Sequence, residues 1–130
     1  MERYTSVVKR VLVVDDDDEM RGLMVLLLSG AYDVAAARDG EEGLAMARSL
    51  RPDLIVLDLL MPRMHGFEVI RRLREDGELR NVKVLISSSK SYSHDVNTAI
   101  AETGADAYIV KPFALDEFQL RVASMLGDGA

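Results

Sequence analysis

The chain has 130 residues, 48% apolar and 29% charged, with a net charge of −6 and no cysteine. That length and balance suit a globular protein with one core rather than a disordered chain. Disulfides and thiolate metal sites are excluded, and an acidic chain without a Lys/Arg block is not expected to bind nucleic acid.

The first apolar run, Val11–Val14, reads as a buried strand. Met20, Leu23, Met24, Leu27 and Leu28 then recur on one face of a helix that Gly30 stops. Val34–Ala37 is an alanine-rich second strand. Asp39, with Glu42 three residues on, reads as the N-cap and capping-box partner of a second helix. Leu54–Leu57 is the third strand. Phe67, Ile70 and Leu73 give the next helical stripe, with Arg71, Arg72 and Arg74 largely on its wet side. Val82–Ile86 is the fourth strand. From about Tyr92 to Thr103 the apolar set that could anchor a helix is only Val96, Ala99 and Ile100, so this helix is expected to be the least firmly anchored. Tyr108–Val110 is the fifth strand, and Leu115, Phe118, Val122 and Met125 mark the last helix.

This βαβαβαβαβα alternation favours a parallel sheet between two helical layers. The functional crevice of such sheets lies at the carboxyl ends of the strands. No run approaches the roughly 20 apolar residues of a membrane span. The mixed polar start, Met1 to Arg10, does not read as a secretory signal. Cytoplasmic placement, away from membranes, follows by default. No repeat or linker is visible, so one domain over residues 1–130 is expected, with its core at about 9–126 and no output domain.

The unusual chemistry gathers at the strand ends. The first strand ends in Asp15-Asp16-Asp17-Asp18-Glu19, the third in Asp58, the fourth in Ser87-Ser88-Ser89-Lys90 and the fifth in Lys111-Pro112-Phe113. Two carboxylates about 4 Å apart repel by roughly 4 kcal/mol at an effective dielectric near 20. Such a cluster raises a proton affinity or recruits a cation, and oxygen-only ligands favour Mg²⁺ over Zn²⁺. Asp17, Asp18 and Glu19 are read as a solvated helix start that complements the macrodipole. Asp15 and Asp16 lie against a buried strand, where that explanation fits less well. Asp58 alone would read as a turn residue and the serines as a plain loop; their convergence carries the argument.

Val13-Val14-Asp15-Asp16, Leu57-Asp58-Leu59-Leu60-Met61-Pro62, Gly66, Gly104-Ala105-Asp106-Ala107-Tyr108 and Lys111-Pro112-Phe113 together resemble the receiver domains of two-component response regulators, including single-domain chemotaxis-type regulators. The resemblance runs from about Lys9 to Leu126. It implies a flavodoxin-like (βα)5 fold with strand order 2-1-3-4-5. It also implies that Asp58 accepts a phosphoryl group from a histidine kinase or histidine phosphotransfer protein, in a phosphorelay switch that is not a classical enzyme. Mg²⁺, or Mn²⁺, would be held by Asp16, by Asp15 mostly through water, by Asp58 and by the Leu60 carbonyl. Lys111 would contact the phosphoryl group, and Lys111-Pro112 would be cis.

The switch hydroxyl depends on register. Counting forward from Asp58 gives Ser88 and counting back from Lys111 gives Ser89. Ser88 is preferred, because a loop absorbs an extra residue more easily than a strand. Ser87 is a third candidate. Tyr108 would be the aromatic that follows the hydroxyl, although an ordinary strand aromatic fits it equally well. The surface of the 92–103 helix, the fifth strand and the last helix would then change toward an unknown downstream protein.

Some positions depart from the family pattern. His65 stands where Asp is usual and is read as a solvated loop substitution. Leu60 is apolar two residues after Asp58, so no side chain there is expected to orient an attacking water. Two rival readings are a degenerate receiver acting only as an interaction module, and a haloacid-dehalogenase-type phosphatase. The intact Asp15, Asp16, Asp58 and Lys111 argue against the first; the missing later acidic pair argues against the second.

Overall fold

A computed structural model describes residues 8–89 and 104–127. The helix expected over 92–103 lies outside the described residues. Among the described residues the strands are β1 (Arg10–Val14), β2 (Asp33–Ala37), β3 (Leu54–Leu57), β4 (Lys83–Ser89) and β5 (Ala107–Lys111). The helices are α1 (Asp18–Leu28), α2 (Gly40–Leu50), α3 (Gly66–Glu75) and α4 (Leu115–Leu126).

The strands form one parallel sheet in the order β2-β1-β3-β4-β5. The register pairs Val14 with Ala37 and Leu57, and Leu57 with Ile86. Alternation splits the strand side chains between two cores. Leu12, Val14, Ile55, Leu57, Val84 and Ile86 join Leu44 and Ala47 of α2 and Val69, Ile70 and Leu73 of α3. Val11, Val13, Leu54, Val56, Leu85 and Ile109 join Met24 and Leu28 of α1 and Phe118, Val122 and Leu126 of α4. Burial on both faces explains why the strands read as unbroken apolar runs. Among the described residues, no helix is long and apolar enough to cross a membrane.

The helix starts follow their capping residues. The Asp17 carboxylate accepts the Met20 N–H, and Asp18 and Glu19 fill the first turn of α1, as expected of a solvated acidic start. Asp39 accepts the Glu42 N–H at 2.9 Å, while Glu42 reaches back to the Arg38 N–H at 2.7 Å, one residue beyond the N-cap N–H of a standard capping box.

Four expectations need correction. β4 runs three residues further than the apolar pattern and takes in Ser87 to Ser89, because parallel pairing with β5 continues through Ser89–Lys111. Leu115 is 48% exposed, and Leu126 takes the buried position at the end of α4. Arg74 is half-buried rather than free on the wet side. Its guanidinium donates to the carbonyls of Gly104, Arg80 and Val82 and pairs with Asp106 at 3.1 Å, tying α3 to the starts of β4 and β5. His65 is the N-cap of α3: its Nδ1 accepts the Phe67 N–H at 3.2 Å.

Candidate functional site

The parallel ladder delivers the polar residues to one edge. The Asp15 N–H donates to the Ala37 carbonyl and the Asp58 N–H to the Val14 carbonyl, so the residues just past β1 and β3 stay knitted to neighbouring strands. Asp15 is fully buried and Asp58 only 7% exposed, whereas Asp16 is open to solvent. One carboxylate oxygen from each of the three lies within 4.8 Å of the others.

Lys111, at the end of β5, enters this cluster. Its Nζ donates to Asp15 Oδ2 at 2.8 Å and stands 3.8 Å from Asp58 Oδ2. The Lys111-Pro112 peptide is cis, and Phe113 stacks on the buried Phe118 of α4, centroids 5.0 Å apart. Burial pushes the Asp58 carboxyl up to about 6; Lys111 and the Leu60 N–H oppose that rise, and the Asp15 and Asp16 charges add to it. The Leu60 N–H lies 3.3 Å from Asp58 Oδ1, and the Leu60 side chain is 46% exposed.

The site is also shaped from below. A Cβ on Gly66 would lie 2.7 Å from the Asp58 carbonyl oxygen and from Leu59 Cα. Only glycine lets the start of α3 come so close, and its N–H donates to the Leu59 carbonyl at 2.9 Å.

The three serines divide by register. Ser88 pairs with Val110, two residues beyond the Ile86–Tyr108 pair, so Ser88 and Tyr108 share a face of the sheet. Ser87 pairs with Ile109 on the opposite face, and Ser89 pairs with Lys111 at an exposed position. Ser87 and Ser88 are fully buried, and among the described residues neither hydroxyl has a hydrogen-bond partner. Tyr108 is 6% exposed.

One charged group at this edge escaped the sequence reading. Arg21 of α1 sends Nη1 to the Asp15 carbonyl at 2.9 Å and Nη2 to Asp18. Its spacing, three residues after Asp18, is a usable signal.

The donor set is three carboxylates, with no imidazole or thiolate in the cluster. That fits a hard divalent cation such as Mg²⁺.

A protein-family model, the response regulator receiver domain, matches residues 11–123. The DNA-binding response regulator MtrA of Mycolicibacterium smegmatis is 40% identical over 119 residues, covering 91% of this chain and 50% of MtrA. Hybrid signal transduction histidine kinase D of Dictyostelium discoideum is 38% identical over 116 residues, covering 89% of this chain and 7% of the kinase. The chain thus spans half or less of these relatives' length. Among solved structures, Vibrio cholerae chemotaxis protein CheY4 superposes with a TM-score of 0.84 at 29% identity, covering 92% of this chain and 99% of CheY4. On the family match, the chain belongs to the response regulator receiver domains of two-component signalling systems.

Proposed function

We propose that Asp58 is the phosphoacceptor of this receiver and that Ser88 and Tyr108 read out its state. The observation that carries the reading is the approach of Asp15, Asp16 and Asp58 to within 4.8 Å, with the Lys111 ammonium between Asp15 and Asp58. The donor is a phosphohistidine of a histidine kinase or histidine phosphotransfer protein. An Asp58 carboxylate oxygen bonds to phosphorus as the P–N bond breaks, and the imidazole leaves with the bonding pair. With its pKa near 6, Asp58 is mostly ionised at pH 7 and can act as nucleophile.

Asp16, Asp58 and the Leu60 carbonyl would hold Mg²⁺ or Mn²⁺, with Asp15 contributing mostly through water. When bound, the ion supplies the positive charge that lets a phosphoryl group approach a carboxylate cluster. Lys111 then shifts from Asp15 toward the new phosphoryl oxygens. The Ser88 hydroxyl, buried and without a partner among the described residues, donates to one of them. A buried hydroxyl left unbonded costs about 1–3 kcal/mol, so gaining an acceptor favours the phosphorylated state. Tyr108, on the same face, moves into the space Ser88 leaves. The surface of β5 and α4 changes with it, and a downstream protein that prefers one state shifts the population by its differential affinity.

Incubation with Mg²⁺ and a small phosphodonor, followed by intact mass, tests this reading. Wild type gains one phosphoryl group and Asp58→Asn none. No uptake by wild type from any donor supports an interaction-only receiver instead, and turnover of generic phosphate esters supports a phosphatase.

A further inference from the structure

The β1–α1 turn carries two of the three clustered carboxylates, yet they are held very differently. Asp15 is fixed at every polar atom. Its N–H donates to Ala37, Oδ1 accepts the Asp17 N–H at 2.9 Å, and Oδ2 accepts Lys111 at 2.8 Å. Its carbonyl accepts Arg21 Nη1 at 2.9 Å. Asp17 is fixed too, since its carboxylate caps the Met20 N–H and its carbonyl accepts the Arg21 N–H at 2.9 Å. Between them, the exposed Asp16 carboxylate has no partner among the described residues.

Among the described residues, Arg21 is the one that grips this turn from both sides, by side chain at Asp15 and by backbone at Asp17. Its side chain is only 16% exposed, and the second arm of the guanidinium is braced by Asp18. A planar fork held at both ends fixes direction as well as distance.

We propose that Arg21 is a positioning residue for divalent-cation binding: its bond to the Asp15 carbonyl sets the backbone course that presents Asp16 to the cluster. The proposal rests on the reading that Asp15, Asp16 and Asp58 hold the cation. It makes a counterintuitive prediction. A cation next to an acidic site should weaken divalent binding, so charge alone predicts tighter binding when Arg21 is removed. Positioning predicts the opposite, because outer-shell partners that orient ligands are typically worth 10–100-fold in metal affinity.

The test is Mn²⁺ binding to the full chain by electron paramagnetic resonance, for wild type, Asp16→Asn, Arg21→Met, Arg21→Gln and Arg21→Lys. Arg21→Met is expected to weaken binding about tenfold. Arg21→Gln, which keeps an amide donor but has no charge, recovers part of the loss. Arg21→Lys keeps the charge but not the fork and remains weaker than wild type. Raising Mg²⁺ restores the phosphodonor reaction rate of Arg21→Met at saturation, so the defect lies in the Mg²⁺ requirement and not in the maximal rate. In metal-free protein, the Asp17 amide exchanges faster in Arg21→Met than in wild type. If Arg21→Met folds poorly, Arg21→Gln and Arg21→Lys decide the matter with the same two readouts. Binding by the uncharged variants as tight as wild type or tighter, with unchanged Asp17 exchange, overturns the proposal. If wild type binds no Mn²⁺, or Asp16→Asn binds as wild type does, the underlying metal-site reading has failed instead.

Discussion

Replacing Asp58 by Asn should stabilise the metal-free protein, and the gain should grow with pH. The Asp58 carboxyl stands at about 6 in the fold against an ordinary 3.8, because it is buried beside Asp15 and Asp16 and only partly compensated by Lys111 at 3.8 Å. The folded state therefore holds this proton more tightly than the unfolded chain. Stability contributed by the protonated group is fully present below pH 3.8 and is lost as pH rises through about 6. At 1.36 kcal/mol per pH unit, that gap corresponds to roughly 3 kcal/mol at most. Solvent at the open edge of the site and the loss of attraction to Lys111 reduce the gain expected from Asn to about 1–2 kcal/mol at pH 7.5. Urea unfolding in a chelating buffer at pH 4.5, 6 and 7.5 reads it directly. The Asn-minus-Asp difference should be small at pH 4.5 and largest at pH 7.5. Mg²⁺ should then favour the wild type, adding about 1.4 kcal/mol per tenfold excess over its Kd. A difference that does not change with pH, or an Asn variant less stable at pH 7.5, would refute the electrostatic account of this edge.

Other substitutions probe the supports of the site. Gly66→Ala drives a Cβ to 2.7 Å from the Asp58 carbonyl and Leu59 Cα, so it should cost about 1–3 kcal/mol in urea unfolding and slow phosphoryl uptake. His65→Ala removes the α3 cap and should cost about 1 kcal/mol, while His65→Asp should match or exceed wild type in the same assay. Leu60→Asn places a polar group beside the acyl phosphate and should speed its decay, followed by intact mass after donor removal. An unchanged lifetime would show that Leu60 does not protect it.

The fold was legible because burial on both faces leaves a simple trace. Leu54–Leu57 and Val11–Val14 are unbroken apolar runs, and both are strands between two helical layers. β4 was cut short in the sequence because serine, small enough to be buried, breaks an apolar run without breaking a ladder. Asp15, Asp58 and Lys111 were found together because strand ends in a parallel sheet must share an edge. Arg21, Arg74 and the His65 cap were missed. Each acts through backbone carbonyls or amides, and those partners have no signature in a residue string. The serine alternatives separate only once the β4–β5 register is known, since Ser88 and Ser87 differ in which face they occupy rather than in composition.

The central claim is that Asp58 carries the phosphoryl group, and reductive trapping tests it most directly. Borohydride converts an aspartyl phosphate to homoserine, which marks the residue permanently. After reaction with a small phosphodonor and Mg²⁺, peptide mapping should place homoserine at position 58 alone, with none formed when Mg²⁺ is chelated. Homoserine at Asp15 or Asp16, or none in a protein that has taken up phosphate, would contradict the assignment.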